Sequence, residues 1–379
     1  MKKAFNPFSL NTYVSKELFC DREEELKTLC SGCQNGINMT LISHRRMGKT
    51  GLIYRFFDEI DSQKKKDMPI TLYVDIYATQ NLKEFTQQCA EVIFKKLSNK
   101  NGLGKRFLKV LKGMHAVFSY NTLTGEPKLS FEYQEPAAYE YSLQTLFQFL
   151  ESQKTPVIVA IDEFQQVSAY PEKNTEALLR TMIQFMQNVN FIFSGSNRRL
   201  MSEIFSNAAR PFFSSTQFLF LDTIPTASYQ SFIIEKFAEQ KRTISAEAVD
   251  FILSWTFAHT YYVQAVCNRI FAENITKIDL TATKQICYEI LKTQEPIFMQ
   301  YRNLLTPAQW ELLKAIAKEK QVTQPTSGKF TKKYGFTASN VQRILPVLLE
   351  KEMALAMPTV TETTYRVYNC FMGHWLAEL

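Results

Sequence analysis

The chain has 379 residues, 45% of them apolar, which suits two or three packed domains rather than one. Its net charge is a modest +7, and no run approaches the roughly 18 apolar residues that a membrane-crossing helix needs, so no membrane partner is expected and a cytoplasmic location is. Seven cysteines, odd in number and irregularly spaced, fit reduced thiols rather than a disulfide framework.

Taken in chain order, Met1 to Phe8 has basic residues but no apolar stretch, so no signal peptide is expected. Phe19 to Leu26 predicts a helix start, with Asp21 as N-cap and acidic residues in the first turn. The pair Cys30 and Cys33, without a second pair or a nearby His, reads as incidental. Ile37 to Ile42 is an apolar strand, and Gly51 to Ile60 has helical spacing. Between them run Ser43, His44, Arg45, Arg46, Met47, Gly48, Lys49 and Thr50. A strand, a loop and a helix joined by Gly-Lys-Thr wrap a phosphate, because successive N–H groups and a helix N-terminus point at the anion. Lys49 would reach the β- and γ-phosphate oxygens of ATP and the Thr50 hydroxyl would ligate Mg²⁺. The expected pattern opens with glycine, used for tight turning; here Ser43 takes that place.

A charged loop, Lys64 to Asp67, precedes a second strand, Ile70 to Ile76, with Asp75 near its tip. Helices are predicted over Leu82–Leu97, Lys105–Lys112 and Ser142–Leu150, and a hairpin insertion over Ala116–Tyr133 with its turn at Thr124–Pro127. Val157 to Ile161 reads as a buried parallel strand ending in Asp162 and Glu163. At such a tip Asp162 can hold Mg²⁺ through water, and Glu163 can polarise the attacking water. With Lys49 and Glu163 as catalytic groups, and Thr50 and Asp162 on the metal, the combination argues for a P-loop ATPase. A helix over Thr175–Met186 and a strand over Phe191–Ser194 follow; Ser196 and Asn197 after it are either a γ-phosphate sensor or a simple turn. Phe218 to Leu221 is the last strand. Five strands alternating with helices predict an α/β core with a mostly parallel sheet over residues 1–225.

Thr226 to about Glu295 is helical in spacing throughout, predicting a helical lid domain over 226–298. His259 within it either meets the nucleotide or caps a helix. Residues 299–379 read as a winged helix-turn-helix: helices from Thr306, near Lys329 and from Phe336, then a hairpin of Ala354–Met357 and Tyr365–Tyr368. Pro346 predicts a kink in the third helix. Residues 301–379 carry ten Lys/Arg against six Asp/Glu, a basic balance that points to duplex DNA held through Lys332, Lys333 and Arg343, with Lys329 and Lys351 beside them. A protein partner for the same fold, and a homo-oligomer, are the rival expectations.

The residues from Phe19 to Leu26, Arg45 to Thr50, Ile161 to Phe164, Ser194 to Ser196, Pro211 to Phe213, His259 to Gln264, and Tyr365 to Asn369 with Trp375-Leu376 together resemble the archaeal-type ATPase family, a branch of the AAA+/STAND-like P-loop ATPases. The resemblance covers nearly the whole chain and implies ATP binding. Beside Ser43, two departures appear. Ala258 and Thr260 flank His259 where relatives often read Gly-His-Pro, and Ser214 and Ser215 follow Phe213 where relatives often carry Gly-Arg. The latter leaves Arg210 as the candidate for a trans-acting arginine. The expected function is a slowly hydrolysing ATP switch coupled to DNA, or alternatively an ATP-regulated module whose winged helix binds protein.

Overall fold

The computed structural model describes residues 6–10, 13–62, 68–97, 102–114, 116–120, 127–131, 136–359 and 361–379. They form two compact units, one of residues 11–223 and one of residues 1–10 with 224–379.

The first unit runs α1 (Glu23–Gln34), β1 (Met39–Ile42), α2 (Lys49–Ser62), β2 (Ile70–Asp75), α3 (Leu82–Leu97), α4 (Leu103–Gly113), β3 (Ala116–Tyr120), β4 (Pro127–Phe131), α5 (Pro136–Glu151), β5 (Val157–Asp162), α6 (Thr175–Ile183), β6 (Val189–Gly195), α7 (Arg198–Ser206) and β7 (Gln217–Phe220). Five strands make one sheet in the order β2-β5-β6-β1-β7, and every pairing in it is parallel. Parallel strands are covered on both faces, and β5 shows how: Val157, Val159 and Ile161 pack with α3, α5 and the phenylalanines of β6, while Ile158 and Ala160 pack on the other face with α1 and α2. The fold is thus α/β with a parallel sheet core.

Several expectations need correction. Asp21 does not cap α1; Arg22 occupies the N-cap position without a side-chain capping bond, at φ 74°. Asp21 instead accepts a hydrogen bond from the Arg22 N–H, and the Arg22 guanidinium donates to the Asp222 carbonyl and to Glu25. The Asp-Arg pair therefore ties the entry of the domain to the exit of its last strand. The hairpin β3–β4 is antiparallel as expected, but the turn residues 124–126, like the charged loop 64–67, lie outside the described residues.

The second unit continues with α8 (Thr226–Ala238), β8 (Thr243–Ile244), α9 (Ala246–Trp255), α10 (Thr260–Ala272), β9 (Lys277–Ile278), α11 (Leu280–Arg302), α12 (Pro307–Lys318), α13 (Gly328–Tyr334), α14 (Ala338–Glu350), β10 (Ala354–Pro358), β11 (Thr363–Val367) and α15 (Cys370–Glu378). Residues 226–295 are not helical throughout, because β8 and β9 pair in parallel. The boundary expected between residues 298 and 299 falls inside α11, which passes through Pro296. Helix α14 also runs on through Pro346, which lies on its exposed face opposite Val341, Ile344, Leu345 and Leu348. There the Gln342 carbonyl, left without its helical donor, lies on the exposed side of the helix. The wing is the antiparallel pair β10–β11. Residues 6–10 belong to this unit: Phe8 is buried among Phe232, Phe237 and Phe271.

Candidate functional site

In the sheet, Ile42 of β1 pairs with Gly195 of β6, and Ile161 of β5 pairs with Phe193. Ser43, Asp162, Glu163 and Ser196 therefore leave the sheet on one edge, the carboxyl edge where α/β folds take ligands. At Gly195 an added Cβ would lie 2.3 Å from the Gln165 side chain and 2.5 Å from Met201, so only glycine lets this strand end so close to its neighbours.

The loop before α2 has two left-handed positions, Arg46 at φ 62° and Gly48 at φ 95°. Ser43 is not among the left-handed residues, so the turn here does not need the glycine that usually opens this loop. Its side chain is used instead. The buried Ser43 hydroxyl donates to the His44 carbonyl at 2.9 Å and accepts from Lys49 Nζ at 3.2 Å. Lys49 Nζ also donates to the carbonyls of Ser43 at 3.4 Å and His44 at 3.2 Å. Burial pushes the Lys49 ammonium below its ordinary pKa, against the pull of Asp162 and Glu163. The lysine is thus a nearly sealed cation, with neighbouring carboxylates holding its charge.

Asp162 collects three donors. Thr50 Oγ1 donates to Oδ2 at 2.9 Å, Tyr73 OH donates to the same oxygen at 2.5 Å, and the Glu163 N–H donates to Oδ1 at 3.0 Å. Burial and the Asp162 charge hold the Tyr73 phenol strongly protonated, so it acts here as a donor. Burial also raises Asp75, with Asp162 and Glu163 adding to the shift. Glu163 sits at φ 56°. Its carboxylate accepts from Ser196 Oγ at 2.7 Å, from the Ser196 N–H at 3.3 Å and from the Gln165 amide. The ring of Phe164, 4.6 Å from that of Phe193 and 5.3 Å from that of Phe212, anchors the turn from below.

Ser43, Lys49, Thr50, Asp162, Glu163 and Ser196 are therefore brought together, with buried Met47 within the loop and Arg45 and Arg46 exposed on it. His44 meets Arg198, whose Nη1 lies 3.1 Å from His44 Nε2. Asn197 is used differently from either expectation: its side chain caps α7, accepting from the Leu200 N–H at 3.0 Å. Arg210 is bonded within its own unit, to Glu176 at 2.6 Å and Ser168 at 2.9 Å. His259 belongs to the other unit, where it is buried at the N-cap of α10 with its ring 4.8 Å from that of Tyr262. Sequence reasoning missed Tyr73 and Arg198. The only signal for Tyr73 was a polar-tipped residue within an otherwise apolar strand; Arg198 had none.

The donor set fits a nucleotide with Mg²⁺. Among the described residues no group of three or more His, Cys, Asp or Glu forms a metal cage. A divalent ion here would rest on Asp162, Thr50 and phosphate oxygens, the coordination Mg²⁺ favours.

A family of ATPase domains, predominantly from Archaea, matches residues 19–264, and a winged helix domain family matches residues 296–378. Among curated proteins none matches. The fold is similar to that of the Walker-type ATPase of Pyrococcus abyssi, with a TM-score of 0.65 at 16% identity over 98% of this chain and 100% of that one. It is also similar to the Orc2 protein of Aeropyrum pernix in its ADPNP–ADP complexes, with a TM-score of 0.59 at 16% identity over 98% of this chain and 96% of that one. The Orc1 protein of the same organism, in complex with DNA, gives a TM-score of 0.50 at 13% identity over 95% of this chain and 93% of that one.

Proposed function

The chain belongs to the family of ATPase domains found predominantly in Archaea, and from that membership we propose that it binds ATP with Mg²⁺ through residues 43–50 and hydrolyses it slowly, as a switch. The observation that carries this reading is the convergence of Lys49, Thr50 and Asp162 at one sheet edge, with Thr50 hydrogen-bonded to Asp162 at 2.9 Å. Lys49 exchanges its three loop acceptors for β- and γ-phosphate oxygens. Bound Mg²⁺ supplies charge neutralisation across those oxygens. Glu163 takes a proton from water as the water oxygen bonds to the γ-phosphorus and the bond to the β,γ-bridging oxygen breaks, giving ADP and phosphate. Slow turnover is supported by Glu163 being held by Ser196 and Gln165, and by Arg210 being committed to Glu176. Ser196 senses the γ-phosphate through the carboxylate it holds.

Titration with a fluorescent ATP analogue tests the binding. Removing a charge-assisted phosphate contact costs about 1.5–3 kcal/mol, so Lys49→Ala is expected to lower affinity roughly tenfold or more. Equal affinity in the two proteins would sink the reading.

We further propose duplex DNA as the partner of the winged helix. Lys329, Lys332 and Arg343 are exposed along α13 and α14, and a protein of similar fold is found in complex with DNA. Lys333 and Lys351 contribute less, since Lys333 is paired with Glu319 at 2.5 Å and Lys351 donates to the Leu304 carbonyl at 2.7 Å.

A further inference from the structure

Arg366, in the motif that closes the chain, has no part in the nucleotide site. It stands on β11 with its guanidinium 4.6 Å over the ring of Phe257. Among the described residues its guanidinium makes no hydrogen bond and no ion pair. A largely desolvated guanidinium with five unused donors is costly unless an anion meets it.

Three further features surround it. Val322 pairs with Tyr365 through two backbone hydrogen bonds, at 2.9 and 2.7 Å, which brings Lys320 beside β11. The Lys320 ammonium likewise has no partner among the described residues. His374 lies flat on the Trp255 indole, 4.4 Å away and 7° from parallel, and donates from Nε2 to the Trp255 carbonyl at 2.7 Å. Helix α15 starts at Cys370 and brings the positive end of its dipole to the same place. Phe257, Lys320, Arg366, Cys370, Gly373 and His374 line one small cleft, open to solvent. No carboxylate contributes to the shifted pKa values of Arg366 or His374. Burial lowers both, and Lys320 lowers His374 further.

We propose that this cleft binds a phosphate dianion, free or as the head of a small phosphate ester. Two permanent charges, Arg366 and Lys320, match a dianion better than a single carboxylate. The planar guanidinium suits two phosphate oxygens at once. Phe257 precedes α10 while Arg366 and His374 belong to the winged helix, so an occupant clamps the wing onto the helices before it. The inference does not depend on the nucleotide reading.

The test is calorimetric titration of the full chain in a Lys49→Ala background, which removes the contribution of the P-loop lysine. Inorganic phosphate and glycerol phosphate are the probes, with acetate at matched ionic strength as the control. Phosphate binding in that background is expected, weakened roughly tenfold or more by adding Arg366→Gln or Lys320→Gln. The glycerol phosphate arm tells a free phosphate from an ester. Lys320 is exposed, so its variant decides the matter should Arg366→Gln fail to fold. Absence of phosphate binding in the background, binding left intact by Lys320→Gln, or a response to acetate alone would overturn the proposal.

Discussion

In the proposed hydrolysis Glu163 is the side chain that would set the pace. It sits in left-handed backbone, anchored by buried Phe164, and its carboxylate is occupied by Ser196 and Gln165. A carboxylate so satisfied must exchange a hydrogen bond before it can take a proton from water. Replacing it by glutamine keeps the shape and removes the base. Glu163→Gln is therefore expected to keep nucleotide affinity while lowering turnover by roughly 10²–10⁴, the usual contribution of a positioned base. A phosphate-release assay measures it, and unchanged turnover would assign the base elsewhere. At this scale the site was legible wherever chemistry demands one residue type at one spacing: Lys49, Thr50, Asp162 and Glu163 come together as expected. Ser43 was legible as a departure but not as a ligand of Lys49, because the hydroxyl gains that use only when the loop folds back on itself. Tyr73 was hidden because an aromatic ring in a strand reads as core until its hydroxyl is seen to point at a carboxylate.

Between α9 and α10 the chain turns through Phe257 at φ 52° and Ala258 at φ 50°, two left-handed residues in succession. Phe257 gains a contact with Arg366; Ala258 gains nothing comparable. Left-handed backbone costs a non-glycine residue about 1–2 kcal/mol, and glycine gives back part of that in chain entropy. Ala258→Gly should stabilise the second unit by about 1 kcal/mol, a rise of roughly 2–4 °C in Tm for a unit of this size. Ala258→Val should lower it, and differential scanning calorimetry separates the two. A glycine variant no more stable than wild type would remove strain from the account of this turn. The same scale shows what could not be read ahead. Helix α7 and helix α15, of nine residues each, were not predicted, although in α7 Met201, Ile204 and Phe205 fall at helical spacing and are buried. Strands β8 and β9 have two residues each and exist only because each finds the other. Helix α11 runs to Arg302 through Pro296, past the helical end near residue 298 that the spacing predicts.

The whole molecule joins an ATPase core to a winged helix, and the order of its main parts was plain from where strand-like spacing gives way to helical spacing. Its charge was legible only in bulk, since ion pairs such as Lys333 with Glu319 remove cations that a tally counts as free. With Lys329, Lys332 and Arg343 left on the exposed face, about three phosphate contacts give a slope of log affinity against log salt near −3. Fluorescence anisotropy of a labelled duplex at several salt concentrations measures it. Reversing those three charges to Glu should abolish retention while sparing ATP binding, and a wild-type protein that ignores duplex DNA at low salt ends the DNA reading. The placement of Phe8 has a different kind of consequence. The polypeptide leaves the second unit near residue 10 and re-enters it at 224, so that unit is threaded from both ends of the sequence; the Asn6 amide donates to the Asn268 carbonyl at 3.0 Å, and the Asn268 amide donates to the Phe8 carbonyl at 2.6 Å. A fragment of residues 224–379 is then not a separable module but a body with an aromatic socket left empty. It should be weaker by on the order of 3 kcal/mol, as for deletion of a core phenylalanine, and a synthetic peptide of residues 1–10 added in trans should restore stability, with a Phe8→Ala peptide failing to do so.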